Sequence, residues 1–460
     1  MKKSLGLGLL LALTAGLIAC SGSGSSSSSS QPGSMFTTAE DAPLASVVGF
    51  NVTVNSITLN GQTSAQVLST PATVDFARLV GLRSPLGFNS VAAGTYSSAT
   101  FALANPVISY VDMSTNPPTV KTINGSFGSN AAASDSVKVT FPAAMTVTSS
   151  GLAGLRMEFD IRQSLAVDSN GQVTGTVNPV IYAQAVQATD DPITELTGGL
   201  ASVNTAGGWF VIQGPYGHQM TVYANSSTQY NSGWSINNLA APAYVAVVGN
   251  YQADGSLMAS YVEVITTAQA FISGRVLAVT TNSSGVAQQI TMWVGEEGPV
   301  LSTIPVDSIF TVDVSGVNQY DVCFFDNALT QVAFSSSSVI VGQRLFIGGS
   351  YANNVFTPQM VSLRFQGVYG SLVSGSVNIV SGNDGTFQLQ NNGLIGYSLN
   401  GLPLTVATGT LTLFVNTSGL SQLQAGGSIP LVTRGLIFVD PTTQTPLMWA
   451  DLVADPPQTQ

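Results

Sequence analysis

Past residue 34 the apolar residues recur at every second position, and helical spacing is never sustained beyond three turns. Gln219-Met220-Thr221-Val222-Tyr223 and Tyr261-Val262-Glu263-Val264 both alternate. Phe50 to Leu59 alternates as well, but shifts phase near Asn55-Ser56. Such runs are rich in Val, Ile, Thr, Phe and Tyr and are punctuated by Gly, Asn, Ser and Pro. They are the pattern of half-buried strands in antiparallel sheets. The chain must therefore bury itself as stacked or rolled sheets, and its 460 residues are enough for several such units. With 8% charged residues, most of the polar surface has to come from Ser, Thr, Asn and Gln.

The first 34 residues are built differently. Lys2 and Lys3 precede an apolar run from Leu5 to Ile18. That run falls short of the roughly 20 residues needed to span a bilayer comfortably as a helix. A basic start, a short apolar core and a small-residue exit mark residues 1–19 as a secretory signal. Leu17-Ile18-Ala19-Cys20 resembles a bacterial lipobox, which implies cleavage before Cys20 and acylation of that residue. Residues 20–34 then form the lipidated cysteine and a Ser/Gly linker too polar to fold. A linker of this kind reaches about 20 Å. Several acyl chains, at about 0.8 kcal/mol per buried CH₂, anchor stably where one is marginal. By analogy with enterobacterial lipoproteins, Ser21 in place of Asp implies the outer membrane. The expected location is the cell envelope, on its periplasmic face or the cell surface. The expected partners are the membrane, through the lipid, and an envelope protein or glycan.

Charge and residue inventory exclude several classes. The formal net charge is -11 and no lysine follows Lys138, so the basic footprint of a nucleic-acid-binding protein is missing. Once Cys20 is lipidated, Cys323 has no disulfide partner, and its apolar neighbours make it an expected core thiol. His218 is the single histidine, so a Cys/His zinc site cannot be assembled. Its setting, Gly214-Pro215-Tyr216-Gly217-His218, has the pattern of a hairpin turn rather than of a catalytic triad. Glu296-Glu297 and Asp190-Asp191 are adjacent carboxylates. Neighbouring strand residues point to opposite faces, so neither pair makes an acid/base dyad. Asp168-Ser169-Asn170-Gly171 lacks the further acids of a calcium loop and reads as a turn. No enzymatic activity, cofactor or metal is expected.

Residues 35–190 read as one unit. Its markers are Ala39-Glu40-Asp41-Ala42-Pro43, Pro71 to Phe76, Val91-Ala92-Ala93-Gly94-Thr95-Tyr96, Met157 to Ile161, and Val177-Asn178-Pro179-Val180-Ile181. In order and spacing these resemble a family of uncharacterised bacterial lipoprotein domains. Glu40 intervenes in the opening segment, and Asn178 stands where a lysine is usual. The resemblance implies an immunoglobulin- or transthyretin-like β-sandwich and no activity. Gly94 is expected at a turn, with Tyr96 beside it as a core or corner aromatic.

The remainder repeats a frame of apolar-x-Gly-x-apolar-x-x-apolar around Gly198, Gly274 and Gly375. The expected units are 195–267, 270–366 and 370–456. Each is read as five or six strands forming a small barrel with its own core, the glycine sitting at a bulge or tight bend. The frames resemble a second uncharacterised bacterial family of tandem small barrels, close to the OB-fold in plan. OB-like barrels bind oligonucleotides or oligosaccharides. The acidic charge argues against the first. For the second, Trp209, Tyr216, Tyr230 and Trp234 are the candidate stacking aromatics. The expected fold is all-β, an N-terminal immunoglobulin/transthyretin-like β-sandwich followed by three small β-barrel repeats. The expected role is structural, adhesive or binding. A glycan-binding module is the alternative and a cryptic hydrolase the third reading.

Overall fold

The computed structural model describes residues 32–455 apart from 43–46, 69, 80–82, 113–114, 116–118, 169–172, 190–191, 215–218, 232, 323–332, 391–402, 441–442 and 444. The first unit opens with β1 (Gly33–Ala42) and β2 (Val47–Gly61). Along β2 the residues Phe50, Val52 and Val54 are buried, then Ile57 and Leu59. The phase shift between them is a register slip at Val54 to Ser56. One extra residue there keeps the apolar face inward on both sides of the bend.

The unit continues with β3 (Ser64–Leu68), β4 (Ala72–Asp75), β5 (Ser84–Val91), β6 (Gly94–Asp112), β7 (Thr119–Asn124), β8 (Ser126–Phe127), β9 (Ser134–Val147) and β10 (Leu152–Asp160). A helical turn, α1 (Ile161–Ser164), leads to β11 (Leu165–Val167), β12 (Val173–Val177) and β13 (Ile181–Val186). One sheet runs β13-β10-β1-β5, with β1 parallel to β10. Another runs β3-β2-β6-β7, with β4 on β2 and β9 on β6, and β11-β12-β8 form a small third sheet. The two large sheets share one apolar core that includes Met35, Phe50, Phe101, Leu155 and Phe159, which makes the unit a β-sandwich. Tyr96 is fully buried, and its hydroxyl donates to the Ala92 carbonyl at 2.8 Å, fixing the turn at Gly94. This is the corner role expected of that aromatic. Asp160 caps α1 by accepting from the Gln163 N–H at 2.9 Å.

The second unit comprises β14 (Ile193–Asn204), β15 (Trp209–Gln213), β16 (Gln219–Tyr223), β17 (Gln229–Tyr230), β18 (Tyr244–Tyr251) and β19 (Leu257–Thr266). Its strands close in the order β14-β15-β16-β19-β18 and back to β14, with β16 parallel to β19. The third unit comprises β20 (Ala270–Thr281), β21 (Ala287–Gly298), β22 (Ser308–Asp313), β23 (Gln319–Val322), β24 (Arg344–Ala352) and β25 (Val355–Leu363). The fourth comprises β26 (Gln366–Leu372), β27 (Asn378–Ser381), β28 (Asp384–Gln390), β29 (Leu404–Thr408), β30 (Leu413–Val415), a short helix α2 (Leu420–Gly426), β31 (Pro430–Val439) and β32 (Pro446–Ala454). The fourth unit closes like the second, β26-β28-β29-β32-β31 and back to β26. The third keeps the same order, β22-β21-β20-β24-β25, but among the described residues no ladder joins β22 to β25. Two of the three repeats are therefore closed barrels, and the middle one is an open, curled sheet.

The repeated glycine marks a close approach of backbones. A Cβ on Gly198 would lie 2.7 Å from the Gln213 carbonyl oxygen, and one on Gly274 would overlap the Trp293 carbonyl. The equivalent position in the fourth unit is Gly370, whose Cβ would lie 2.5 Å from the Gln390 carbonyl oxygen. Gly375, which completes the sequence frame with Val373, Val377 and Val380 where Gly370 lacks the last apolar position, sits instead in a turn with φ +74°. The fourth unit accordingly starts at Gln366 rather than 370. A second glycine recurs where the fourth barrel strand shifts register, at Gly249, Gly349 and Gly435.

The units do not sit as separate beads, because the cores of the three repeats borrow from their neighbours. Phe36 of β1 belongs to the core of the second unit and stacks on Tyr251 at 4.9 Å. Phe271 stacks on Phe346 at 4.6 Å, with Tyr244 of the second unit edge-on to Phe271 at 4.6 Å. Val48 and Val111 of the sandwich pack with Leu277 and Trp293. Leu436 and Phe438 of β31 belong to the core of the open third unit, and Gln343 donates to the Ile437 carbonyl at 2.9 Å.

Candidate functional site

Several residues singled out in the sequence lie outside the described residues: Cys20, Cys323, His218, Tyr216, Asp190 and Asp191. Asp168 is exposed, and the rest of its tetrapeptide also lies outside them. Glu296 and Glu297 are both buried and diverge. Glu296 pairs with Arg78 of the sandwich at 2.8 Å, whereas Glu297 accepts from the Leu301 N–H at 2.8 Å. They do not converge on one reacting centre. Trp209 is half-buried, and Tyr230 and Trp234 pack against the core of the second unit. No exposed aromatic row results from them.

Tyr230 has a role that single positions do not show. It lies on β17, which pairs in parallel with the last barrel strand, β19. Tyr320 on β23 and Phe414 on β30 occupy the corresponding places, and each packs on its own unit's core. The repeated Gln229-Tyr230 and Gln319-Tyr320 dipeptides are the signal that could have found them.

Charge is concentrated at the joints. Arg364, in the link between β25 and β26, is 1% exposed, and one guanidinium nitrogen meets both Glu263 oxygens at 2.8 and 2.9 Å. At the boundary of the sandwich and the third unit, burial pushes the Asp75 carboxyl up to about 6. Arg78 pulls it down, and Asp307 adds a smaller push upward. The Asp307 carboxyl is itself raised by burial. Asp75 accepts from the Phe50 N–H at 2.8 Å.

Two adjoining cavities open where the sandwich, the second unit and the fourth unit meet. The larger has a volume of about 470 Å³. Ser227, Gln229 and Ser260 of the second unit line it, facing Leu413, Arg434 and Asp451 of the fourth. Its apolar lining is Val248, Leu452 and the fully buried Phe365. The smaller, about 220 Å³, lies between the outer face of β10 and β13 and the fourth unit. Arg156 and Glu158 share that face with Tyr182 and Gln184 because residues two apart on a strand point the same way. Arg83 and Leu452 line both cavities.

Among the described residues the cavity charges balance. Arg83, Arg156 and Arg434 are matched by Glu158, Asp451 and Asp455. Arg434 Nε lies 3.0 Å from both Asp451 oxygens, a geometry that fixes both side chains. Arg156 meets the Gln184 side chain across the sheet. The Tyr182 hydroxyl accepts from Gln163 at 3.1 Å, and burial raises its phenol above the usual range. The Oδ1 of Asp455 is buried with no hydrogen-bond partner among the described residues. Among those residues no three His, Cys, Asp or Glu side chains gather as a metal site. What the arrangement offers is a set of fixed donors and acceptors on an apolar floor, at a junction of units where ligand pockets commonly occur.

The fold and these cavities define an all-β, multi-unit protein with clefts between its units. Residues 36–174 match the family model described as Domain of unknown function (DUF4382), and residues 197–263 match that described as Domain of unknown function (DUF5666). The first lies within the sandwich and the second within the first closed barrel. No curated protein matches the chain.

Proposed function

We propose that the protein is a lipid-anchored cell-envelope protein that acts by binding rather than by catalysis, with the cavities around Arg83 as its site. The observation that carries the anchoring is the Leu17-Ile18-Ala19-Cys20 motif followed at once by the serine tract. The start of the folded body fits a tether. The Ser34 N–H donates to the Gly151 carbonyl at 2.8 Å, and the Ser34 hydroxyl donates to the Ala253 carbonyl at 3.0 Å. The chain thus enters the body at a fixed edge, beside two turns. Ala39 pairs with Ser84, the residue after Arg83. Six residues of strand separate Gly33 from that point, about 20 Å at roughly 3.3 Å per residue. The cavities then lie away from the anchored edge, where a ligand or partner can reach them.

The two closed barrels support the OB-like reading, since their first, second, third, fifth and fourth strands follow one another round the barrel. The outer membrane is the proposed location, on either face. Replacing Cys20 by Ser tests the anchor. The wild type is expected to incorporate labelled palmitate and to sediment with membranes, while Cys20→Ser carries no label and is released. Equal labelling of the two forms would remove the basis for the anchor.

A further inference from the structure

We infer that the paired cavities around Arg83 hold an uncharged oligosaccharide of two or three rings. This inference rests on reading those cavities as a binding site. Their charge is the first argument. The chain carries a formal net charge of -11, yet among the described residues three arginines and three carboxylates face these cavities. A polyanion would meet Glu158, Asp451 and Asp455, and a polycation would meet Arg83, Arg156 and Arg434.

The second argument is the kind of polar group that remains. Gln229 is exposed at the cavity, and its side chain has no hydrogen-bond partner among the described residues. The Ser227 and Ser260 hydroxyls, which donate to Asn225 Oδ1 and to the Val248 carbonyl, line the same cavity and keep lone pairs that can accept. A sugar hydroxyl both donates and accepts, so one ligand type satisfies amide, carboxylate and guanidinium together. The C–H faces of its rings suit Val248 and the exposed Leu413. The volumes, about 470 and 220 Å³, fall in the range of small-ligand pockets.

The competing occupant is an extended peptide added as a strand to β13, which ends its sheet and lines the smaller cavity. The envelope-extract arm of the test below separates it from a sugar. The site is distinct from the usual ligand face of an OB-like barrel, which uses the second and third strands and the turn between the fourth and fifth. Here that turn is occupied, with Ala253 bonded to Ser34 and Tyr251 stacked on Phe36.

The test uses the full-length protein in detergent and saturation-transfer NMR. Maltotriose, cellotriose and chitotriose are the neutral probes, and trigalacturonate is the charged control. Transfer to at least one neutral trisaccharide and none to trigalacturonate is expected. Gln229→Ala should weaken that binding by about fivefold, the worth of one hydrogen bond. Ser260→Trp, which fills the cavity mouth, should abolish it, with the circular dichroism of both variants unchanged. Preferred binding of trigalacturonate, or neutral binding untouched by Ser260→Trp, overturns the inference. A protein-free envelope extract provides a second arm. Non-saccharide solutes that receive saturation from the wild type but not from Ser260→Trp would leave the cavity a binding site and overturn the sugar. No transfer in either arm overturns both.

Discussion

Glu263→Gln is the substitution with the largest expected effect at a joint. Glu263 is 4% exposed and Arg364 1%, and their contacts at 2.8 and 2.9 Å join β19 of the second unit to the link before β26. A guanidinium at that depth keeps its charge, since it does not deprotonate in proteins. Removing the carboxylate charge leaves it without its counter-charge in a medium of low polarisability. Breaking one partner of a buried pair costs about 3–5 kcal/mol. Replacing both, as Glu263→Leu with Arg364→Met, removes both desolvation penalties and keeps the volume, so the double variant should lie within about 1–2 kcal/mol of the wild type. Urea unfolding followed by tryptophan fluorescence measures all four corners of the cycle of Glu263→Leu and Arg364→Met, with Glu263→Gln measured alongside. The expected signature is a single-variant loss of several kcal/mol that the second substitution largely recovers, a coupling well outside the few tenths seen for independent sites. If Glu263→Gln costs under about 1 kcal/mol, or if the double variant loses the sum of the two single losses, the pair is not the buried joint described.

Three further perturbations have a definite sign. Burial raises Asp75 from 3.8 to about 6, so the folded protein holds that proton more tightly than the unfolded chain, and this stability contribution is lost as pH rises from about 4 to above 6. Asp75→Asn should therefore stabilise the protein by roughly 2 kcal/mol at pH 8 and by little at pH 4, and an equal shift in melting temperature at both would count against it. Gly370→Ala should cost about 2–3 kcal/mol, because its Cβ meets a backbone carbonyl, whereas Gly375→Ala should cost about 1 kcal/mol from its left-handed φ alone. The reverse order in urea unfolding would return the repeat frame to Gly375. Tyr230→Phe should raise stability by about 1 kcal/mol, since the hydroxyl is buried without a partner among the described residues and Phe414 fills the matching place. A loss on calorimetry would mean that the hydroxyl is satisfied.

Local alternation carried much of this structure in the open. The phase slip at Asn55-Ser56 is a bulge, Tyr96 closes its turn, and Glu296 and Glu297 diverge as neighbouring strand residues must. Alternation distinguishes the inside of a barrel from its outside, but not whether the outside meets water. Glu263 in Tyr261-Val262-Glu263-Val264 has the pattern of a solvated residue, yet another unit covers it. Gly375 satisfies the repeat frame at every position and Gly370 at all but the last, yet the approach of the Gln390 carbonyl assigns the role to Gly370. The cavities were hidden for the same reason. Arg83, Arg156, Gln229 and Arg434 come from distant strands and turns, and none has a local pattern that sets it apart.

The loan of Leu436 and Phe438 to the open third unit sets an order of events. An exported chain crosses the membrane from its N-terminus, and the last strand of that unit ends at Leu363, well before Leu436 emerges. During that interval the third unit has its strands but lacks part of its apolar filling. A holding chaperone has a defined client in that window. A premature stop before Leu431 would remove two units from the folded state, the one it truncates and the one before it.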